Sequence, residues 1–360
     1  MCQKNILIVS GGTGGHIYPG IVLAKEFRDS GYEPIFFISD NVISRQILEK
    51  SGFKYIISNV VVAPQRISVS FISFFIKTLL VFLKALRQIV ILKPLVVVGT
   101  GGYITVPVLF ASKILHKKIF IHEQNAVPGK ANILLNRIAI KTFISFRSLK
   151  KKFKNRNVLF VGCPIREDIL YVSKEKAIKT LNLNRDLFTI LIFGGSLGSS
   201  KLNQVTCQAF LELFYNDKTQ ILHVTGFRDY VYIKRQVKEY ENYRVYEYMH
   251  DIEYAYAASD IVICRSGAGT VFELKVLNKP AILVPYSYAT DEHQYWNAKE
   301  IESEGKVIII EEKYFTSMNL KEAISELKSN IKNIEINMTK NANILAQKLI
   351  FEEIMKCIKF

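Results

Sequence analysis

Between Lys50 and Arg166 the sequence holds a single acidic residue, Glu123, against 20 lysines and arginines. The whole chain carries a net charge of +16, so this one stretch accounts for all of the excess. A solvated lysine-rich surface would spread its charge; concentration of this kind points to an acidic partner, whether nucleic acid, anionic lipid or a polyanionic substrate. Cysteine is sparse too. Its five copies (Cys2, Cys163, Cys207, Cys264 and Cys357) include no C-x-x-C pair, which argues against a disulfide framework and a structural zinc site and fits a reducing cytoplasm. Long apolar runs are missing as well. The most apolar stretch, from Ile67, is interrupted by Lys77, Lys84 and Arg87, and its uncharged run 67–76 falls far short of the ~20 residues that cross a bilayer. Neither a secretory leader nor an integral membrane segment is expected.

What the chain does have is alternation. Short apolar runs such as "NILIVS", "PIFFIS", "YIIS", "PLVVVG" and "KIFIH" recur in the first half. The second half has "FTILIF", "QILHVT", "YRVYEY", "DIVIC", "PAILVP" and "KVIII". Near-continuous Val, Ile, Leu and Phe imply strands buried on both faces, as in a parallel sheet covered by helices. Stretches between them, such as "GIVLAKEFRDSG", place apolar residues at helical spacing. The β-α pattern runs twice, with a break near "GCPIRED", so the expected fold is α/β: two doubly wound, Rossmann-like domains facing a deep cleft.

Ligands of such sheets bind beyond the carboxyl ends of the strands, and four loops there are rich in glycine: Gly11–Gly15, Gly99–Gly102, Gly194–Gly198 and "RSGAGT" at 265–270. Glycine lets backbone N–H groups approach an anion, and a following helix N-terminus adds positive potential. A phosphate-bearing ligand is the expectation. "GGTGGH" lacks the third glycine of the dinucleotide fingerprint, although Asp40 could mimic its ribose-binding acid, and no loop carries the G-K-[ST] of an NTPase. A D-x-D pair is also missing. Diphosphate charge would then fall to helix N-termini, hydroxyls and arginine, so metal-free, cofactor-free chemistry is favoured.

Seven segments, "GGTGGHIYPG", "GTGGYITVP", "HEQNAVPG", "GCPIRED", "GGSLGS", "CRSGAGTVFE" and "DEHQYWNA", occur in the order seen in the MurG family, and the resemblance runs from about Asn5 to about Ala298. These are bacterial cell-wall transferases that move N-acetylglucosamine from its UDP donor to undecaprenyl-pyrophosphoryl-N-acetylmuramoyl-pentapeptide. The resemblance implies a GT-B fold, inversion without a metal, and a peripheral place on the cytoplasmic face of the plasma membrane. It divides the chain into an acceptor and membrane domain (1–163), a UDP-sugar domain (164–340) and a final helix (341–360) that packs back on the first. A UDP-sugar epimerase of the same fold is the nearest alternative. A nucleic-acid-binding protein, suggested only by charge, is not expected.

Inverting transfer needs a base for the acceptor hydroxyl, and a histidine, with a usual pKa of ~6.5, suits that work. His16 matches a residue proposed as that base; binding the acceptor pyrophosphate, or holding the helix turn, are its other readings. By the same resemblance Thr13, Gly14 and Gly15 face donor and acceptor, Asn125 contacts sugar, and Arg166 and Ser196 contact the donor, Ser196 at phosphate. Met249 reads the uracil edge through its backbone, Glu273 accepts the ribose hydroxyls, and Gln294 holds the N-acetylglucosamine ring. Glu123 is read equally as a structural ion pair or as a group near the acceptor. If the segment 67–92 is helical, its basic, aromatic face, with Phe71, Phe75, Lys77, Phe82 and Lys84, is expected to contact an anionic membrane.

Overall fold

A computed structural model describes residues 4–12, 14–59, 69–154, 157–195, 198–214, 218–302, 306–336 and 345–358. The chain divides into two compact units. Residues 1–165 and 343–360 form the first, and 166–342 the second. Thr13 and Ser196 lie outside the described residues, as does the side chain of Phe71.

The first unit holds strands β1 (Asn5–Ser10), β2 (Glu33–Ser39), β3 (Lys54–Ser58), β4 (Val96–Gly99), β5 (Lys118–Glu123), β6 (Lys141–Ile144) and β7 (Val158–Phe160). They pair in parallel in the order β3-β2-β1-β4-β5-β6-β7. The second unit holds β8 (Phe188–Phe193), β9 (Thr219–Val224), β10 (Tyr243–Tyr246), β11 (Ile261–Cys264), β12 (Ala281–Leu283) and β13 (Val307–Ile309). Their order is β10-β9-β8-β11-β12-β13, again parallel. Eleven of the strands are the apolar runs read from sequence. The two that reading missed, β6 and β7, are only four and three residues long and carry little pattern.

Both sheets are buried on both faces, as their composition requires: every residue of β1 and of β11 is buried. In each unit the strand order reverses once, between β1 and β4 in the first and between β8 and β11 in the second. Loops leaving the carboxyl ends of neighbouring strands diverge at such a point and leave a crevice. The chain's last described helix, Ala346–Ile358, returns to the first unit, where Phe351 meets Phe27 edge-on at 5.2 Å and Glu353 pairs with Lys141.

Helix Val69–Leu92 shows why its sequence reads as amphipathic. Val81, Ala85 and Ile89 are buried in the first unit's core, whereas Ile72, Phe75, Ile76, Leu79, Leu80 and Leu83 are exposed. Lys77 and Lys84 are exposed beside them, but Phe82 is half-buried and packs on the core instead. Ile114, on the neighbouring helix Thr105–Ile114, is also exposed. No helix among the described residues is long and apolar enough to cross a membrane.

Candidate active site

At the first reversal point the loop after β1 meets the loop after β4. Gly11 N–H donates to Gly101 O at 2.8 Å, and a Cβ on Gly102 would stand 2.6 Å from Gly11 Cα. Only glycine permits two backbones this close, and Gly101 and Gly102 also take positive φ. Into this junction projects His16, from the first turn of helix Gly14–Asp29. The imidazole lies where a side chain on Gly101 would be, with Cδ2 at 2.7 Å and Nε2 at 3.0 Å from that Cβ position. Gly11 flanks the other ring nitrogen, Nδ1, at 3.1 Å by the same measure. The ring is therefore seated between two turns from different strands.

Gln124 borders the same place, its Oε1 3.7 Å from the Cβ position of Gly101. The side chain is buried and its Nε2 donates to Thr100 O at 2.7 Å, which fixes the amide orientation. Oε1 has no hydrogen-bond partner among the described residues. It is one of seven buried side-chain polar atoms in that state among the described residues, and it is the one that borders the His16 junction.

The loop after β5 is organised by Glu123. Its buried carboxylate accepts from Asn125 N–H at 3.0 Å, Gly129 N–H at 2.9 Å and Asn132 Nδ2 at 2.8 Å. Burial pushes its titration up, against those same bonds. Glu123 therefore shapes the turn that carries half-buried Asn125, and these three partners are amides, not a cation. His122, beside it, is buried with Nε2 3.0 Å from Gly162 O, and desolvation holds its pKa down to about 4 despite that carbonyl.

At the second reversal point a guanidinium takes the place of the imidazole. Arg265, directly after β11, donates through Nε and Nη2 to Ser199 Oγ at 3.1 and 2.6 Å. Its Nη1 donates to Val284 O and Pro285 O, and Nη2 also pairs with Glu312. Burial works against the Glu312 charge, but the Arg265 bonds outweigh it and hold that carboxyl below its ordinary range. Loops following β8, β11, β12 and β13 are thus gathered on one side chain. The motif "RSGAGT" singled out the loop; nothing in its spacing disclosed the arginine's partners.

Glu273, on helix Ala268–Leu277, is buried and bound on both oxygens. Arg166 reaches Oε1 through Nη2 at 2.9 Å and Nε at 3.3 Å, and the Tyr256 hydroxyl donates to Oε2 at 2.9 Å. Two residues read from sequence as separate donor contacts are therefore joined, and Tyr256, which that reading did not name, is the third member. Gln294 accepts the Tyr286 N–H on Oε1 at 3.1 Å, which orients its amide. Its own carbonyl accepts from Ser266. Met249 is half-buried in the loop after edge strand β10.

Glycines at the helix starts divide into two kinds. Gly194 and Gly198 are forced by crowding, a Cβ on the latter falling 2.0 Å from Thr225 O. For Gly15, Gly267 and Gly269 a Cβ would meet nothing within 4 Å. The described residues give no steric reason for them.

Two parallel-sheet units with glycine-rich turns at their reversal points make this a GT-B fold. The crystal structure of Acinetobacter baumannii MurG matches with a TM-score of 0.76 at 24% identity, covering 98% of this chain and 99% of that one. A UDP-GlcNAc 2-epimerase from Neisseria meningitidis, bound to UDP-GlcNAc, shares the fold at a TM-score of 0.66 and 16% identity, with 98% and 100% coverage. Residues 6–144 match the glycosyltransferase family 28 N-terminal domain and residues 189–356 its C-terminal domain. A curated relative from Halothermothrix orenii, the UDP-N-acetylglucosamine--N-acetylmuramyl-(pentapeptide) pyrophosphoryl-undecaprenol N-acetylglucosamine transferase, is 36% identical across 89% of this chain and 90% of its own. The chain belongs to glycosyltransferase family 28, within the group of these N-acetylglucosamine transferases.

Proposed function

We propose that the chain transfers N-acetylglucosamine from UDP-N-acetylglucosamine to undecaprenyl-pyrophosphoryl-N-acetylmuramoyl-pentapeptide, inverting the anomeric centre without a metal ion. The name carried by its relatives supports the substrates. The observation that carries the chemical step is the cluster at the first reversal point, an imidazole seated against two glycine turns beside a buried amide oxygen with no partner among the described residues. His16 takes the proton from the acceptor hydroxyl as it attacks the anomeric carbon, and UDP leaves from the opposite face. A positioned base of this kind contributes about 10²–10⁴-fold. Thr13, Gly14 and Gly15 present backbone to the substrates, and the open space at Gly15 supports that role. Asn125, held by the Glu123 turn, contacts sugar.

The second unit is assigned the donor, with Arg166, Ser196, Met249, Glu273 and Gln294 as its contacts. Glu273 is suited to ribose because a carboxylate accepts from hydroxyls and cannot donate. Gly267 and Gly269, which no neighbour crowds, suit approach of the UDP phosphates to the start of helix Ala268–Leu277.

The lipid acceptor assigns the first unit to the cytoplasmic face of the membrane. Ile72, Phe75, Ile76, Leu79 and Leu80 form the exposed apolar face, with Lys77 and Lys84 at its border. Each basic residue adds about 1 kcal/mol near anionic lipid. Pelleting with anionic vesicles at low salt, and release at high salt, are expected; equal binding to neutral vesicles refutes the electrostatic part.

The function itself is tested by incubating labelled UDP-N-acetylglucosamine with a short-chain lipid acceptor and EDTA. Lipid-linked disaccharide is the expected product. Turnover of the UDP-sugar with no acceptor present would favour an epimerase instead.

A further inference from the structure

Glu273 is tied down unevenly. Both Arg166 contacts fall on Oε1, whereas among the described residues Oε2 receives only the Tyr256 hydroxyl. A carboxylate offers about four lone-pair positions. Arg166 occupies the two on Oε1 and Tyr256 one on Oε2, so the remaining capacity lies on Oε2, the oxygen that Tyr256 orients. The terminal torsion of a glutamate is soft, so without a second anchor the carboxylate can turn about its own axis.

Tyr256 is built for this task. The side chain is wholly buried on helix Ile252–Ala258, and its ring meets Phe193, the last residue of β8, edge-on at 5.8 Å. Burial first, then the Glu273 charge, hold the phenol protonated far beyond neutral pH, so it acts as donor to the carboxylate. Bonds to an ionised acceptor are roughly twice as strong as neutral ones.

We propose that Tyr256 is a positioning residue for donor specificity: its hydroxyl fixes Glu273 Oε2 as the acceptor of one ribose hydroxyl and so sets the preference for ribonucleotide over deoxyribonucleotide donors. The inference rests on the assignment of Glu273 to ribose. Arg166, by contrast, anchors the opposite oxygen and strengthens binding without setting that preference.

The test is equilibrium binding of UDP, 2′-deoxy-UDP and 3′-deoxy-UDP to the full chain and three variants. The unaltered protein should prefer UDP to one of the deoxy forms by about tenfold or more, the worth of one bond to a charged group. Tyr256→Phe keeps the ring on Phe193 and should bring that preference to about twofold or less. Arg166→Lys should weaken all three ligands together and keep the preference. Glu273→Gln is the control: if it retains the ribose preference, the ribose assignment itself fails, whatever the tyrosine does. If Glu273→Gln loses the preference while Tyr256→Phe keeps it, only the present inference is overturned. Loss of the preference in Arg166→Lys overturns it too, and that result stands even if the phenylalanine variant does not fold.

Discussion

The two reversal points are built on the same plan and filled with opposite chemistry. In the first unit, backbone meets backbone through Gly11, Gly101 and Gly102, and the side chain enclosed is an imidazole beside an amide. In the second, Arg265 gathers four loops and Arg166 clamps Glu273. On the proposed function, the imidazole that moves the proton is seated among glycine backbone and beside an amide. On the same reading, a site that holds a charged nucleotide in one pose is served by pre-formed ion pairs, whose cost of ordering is met during folding. On the proposed function, the difference separates chemistry from binding along the chain.

The sharpest way to break that separation is His16→Ala. Transfer should fall by about 10²–10⁴-fold while the protein still folds; near-normal turnover would remove His16 from the chemical step. Next in size is Arg265→Met, which takes a buried cation from half-buried Glu312 and Ser199. Thermal unfolding should show the second unit destabilised by about 3–5 kcal/mol, with partial recovery when Glu312→Gln is added. An unchanged melting temperature would mean that the arginine is not the tie between those loops.

Acid sharpens the comparison further, because each unit hides one neutral histidine. His122 is depressed to about 4 and His223, bonded to Tyr243 and Asn203, to about 3, burial being the cause in both. Below ~6.5 the unfolded chain binds protons that these folded histidines refuse, so stability present above that pH is lost as it falls. Each should contribute about 1.4 kcal/mol per pH unit, down to about pH 4 for His122 and about pH 3 for His223. Melting temperatures of His122→Gln and His223→Gln between pH 7 and 4 should fall less steeply than those of the unaltered protein. The smallest effect on stability is expected at Gly15→Ala, whose Cβ enters open space within a helix. Its melting temperature should hold or rise, by at most about 1 kcal/mol in stability, while transfer drops. A drop in stability instead would make Gly15 a folding residue.

Most of the fold was legible because buried parallel strands write themselves as unbroken apolar runs. β6 and β7 escaped, being short and lying towards one edge of the sheet. The glycine loops were visible as motifs, but their reasons were not. Sequence shows Gly102 and Gly15 alike, and only the packed backbones reveal that one is demanded by Gly11 and the other by nothing among the described residues. Charged partners were the least legible part. Arg166 and Glu273 lie 107 positions apart and Arg265 and Glu312 47 apart, distances at which no local periodicity applies. Tyr256 was hidden in a run of tyrosine and alanine that reads as ordinary helix packing. Phe82, read as a membrane-facing aromatic, proved to turn inward, because helical spacing fixes the stripe but not its edges.

The most direct test of the division between the units is calorimetric titration of UDP into the unaltered protein, His16→Ala and Glu273→Gln. Equal affinity in the first two and about tenfold weaker binding in the third is the expected result. Loss of UDP binding in His16→Ala, with Glu273→Gln undisturbed, would contradict it and place the nucleotide on the first unit.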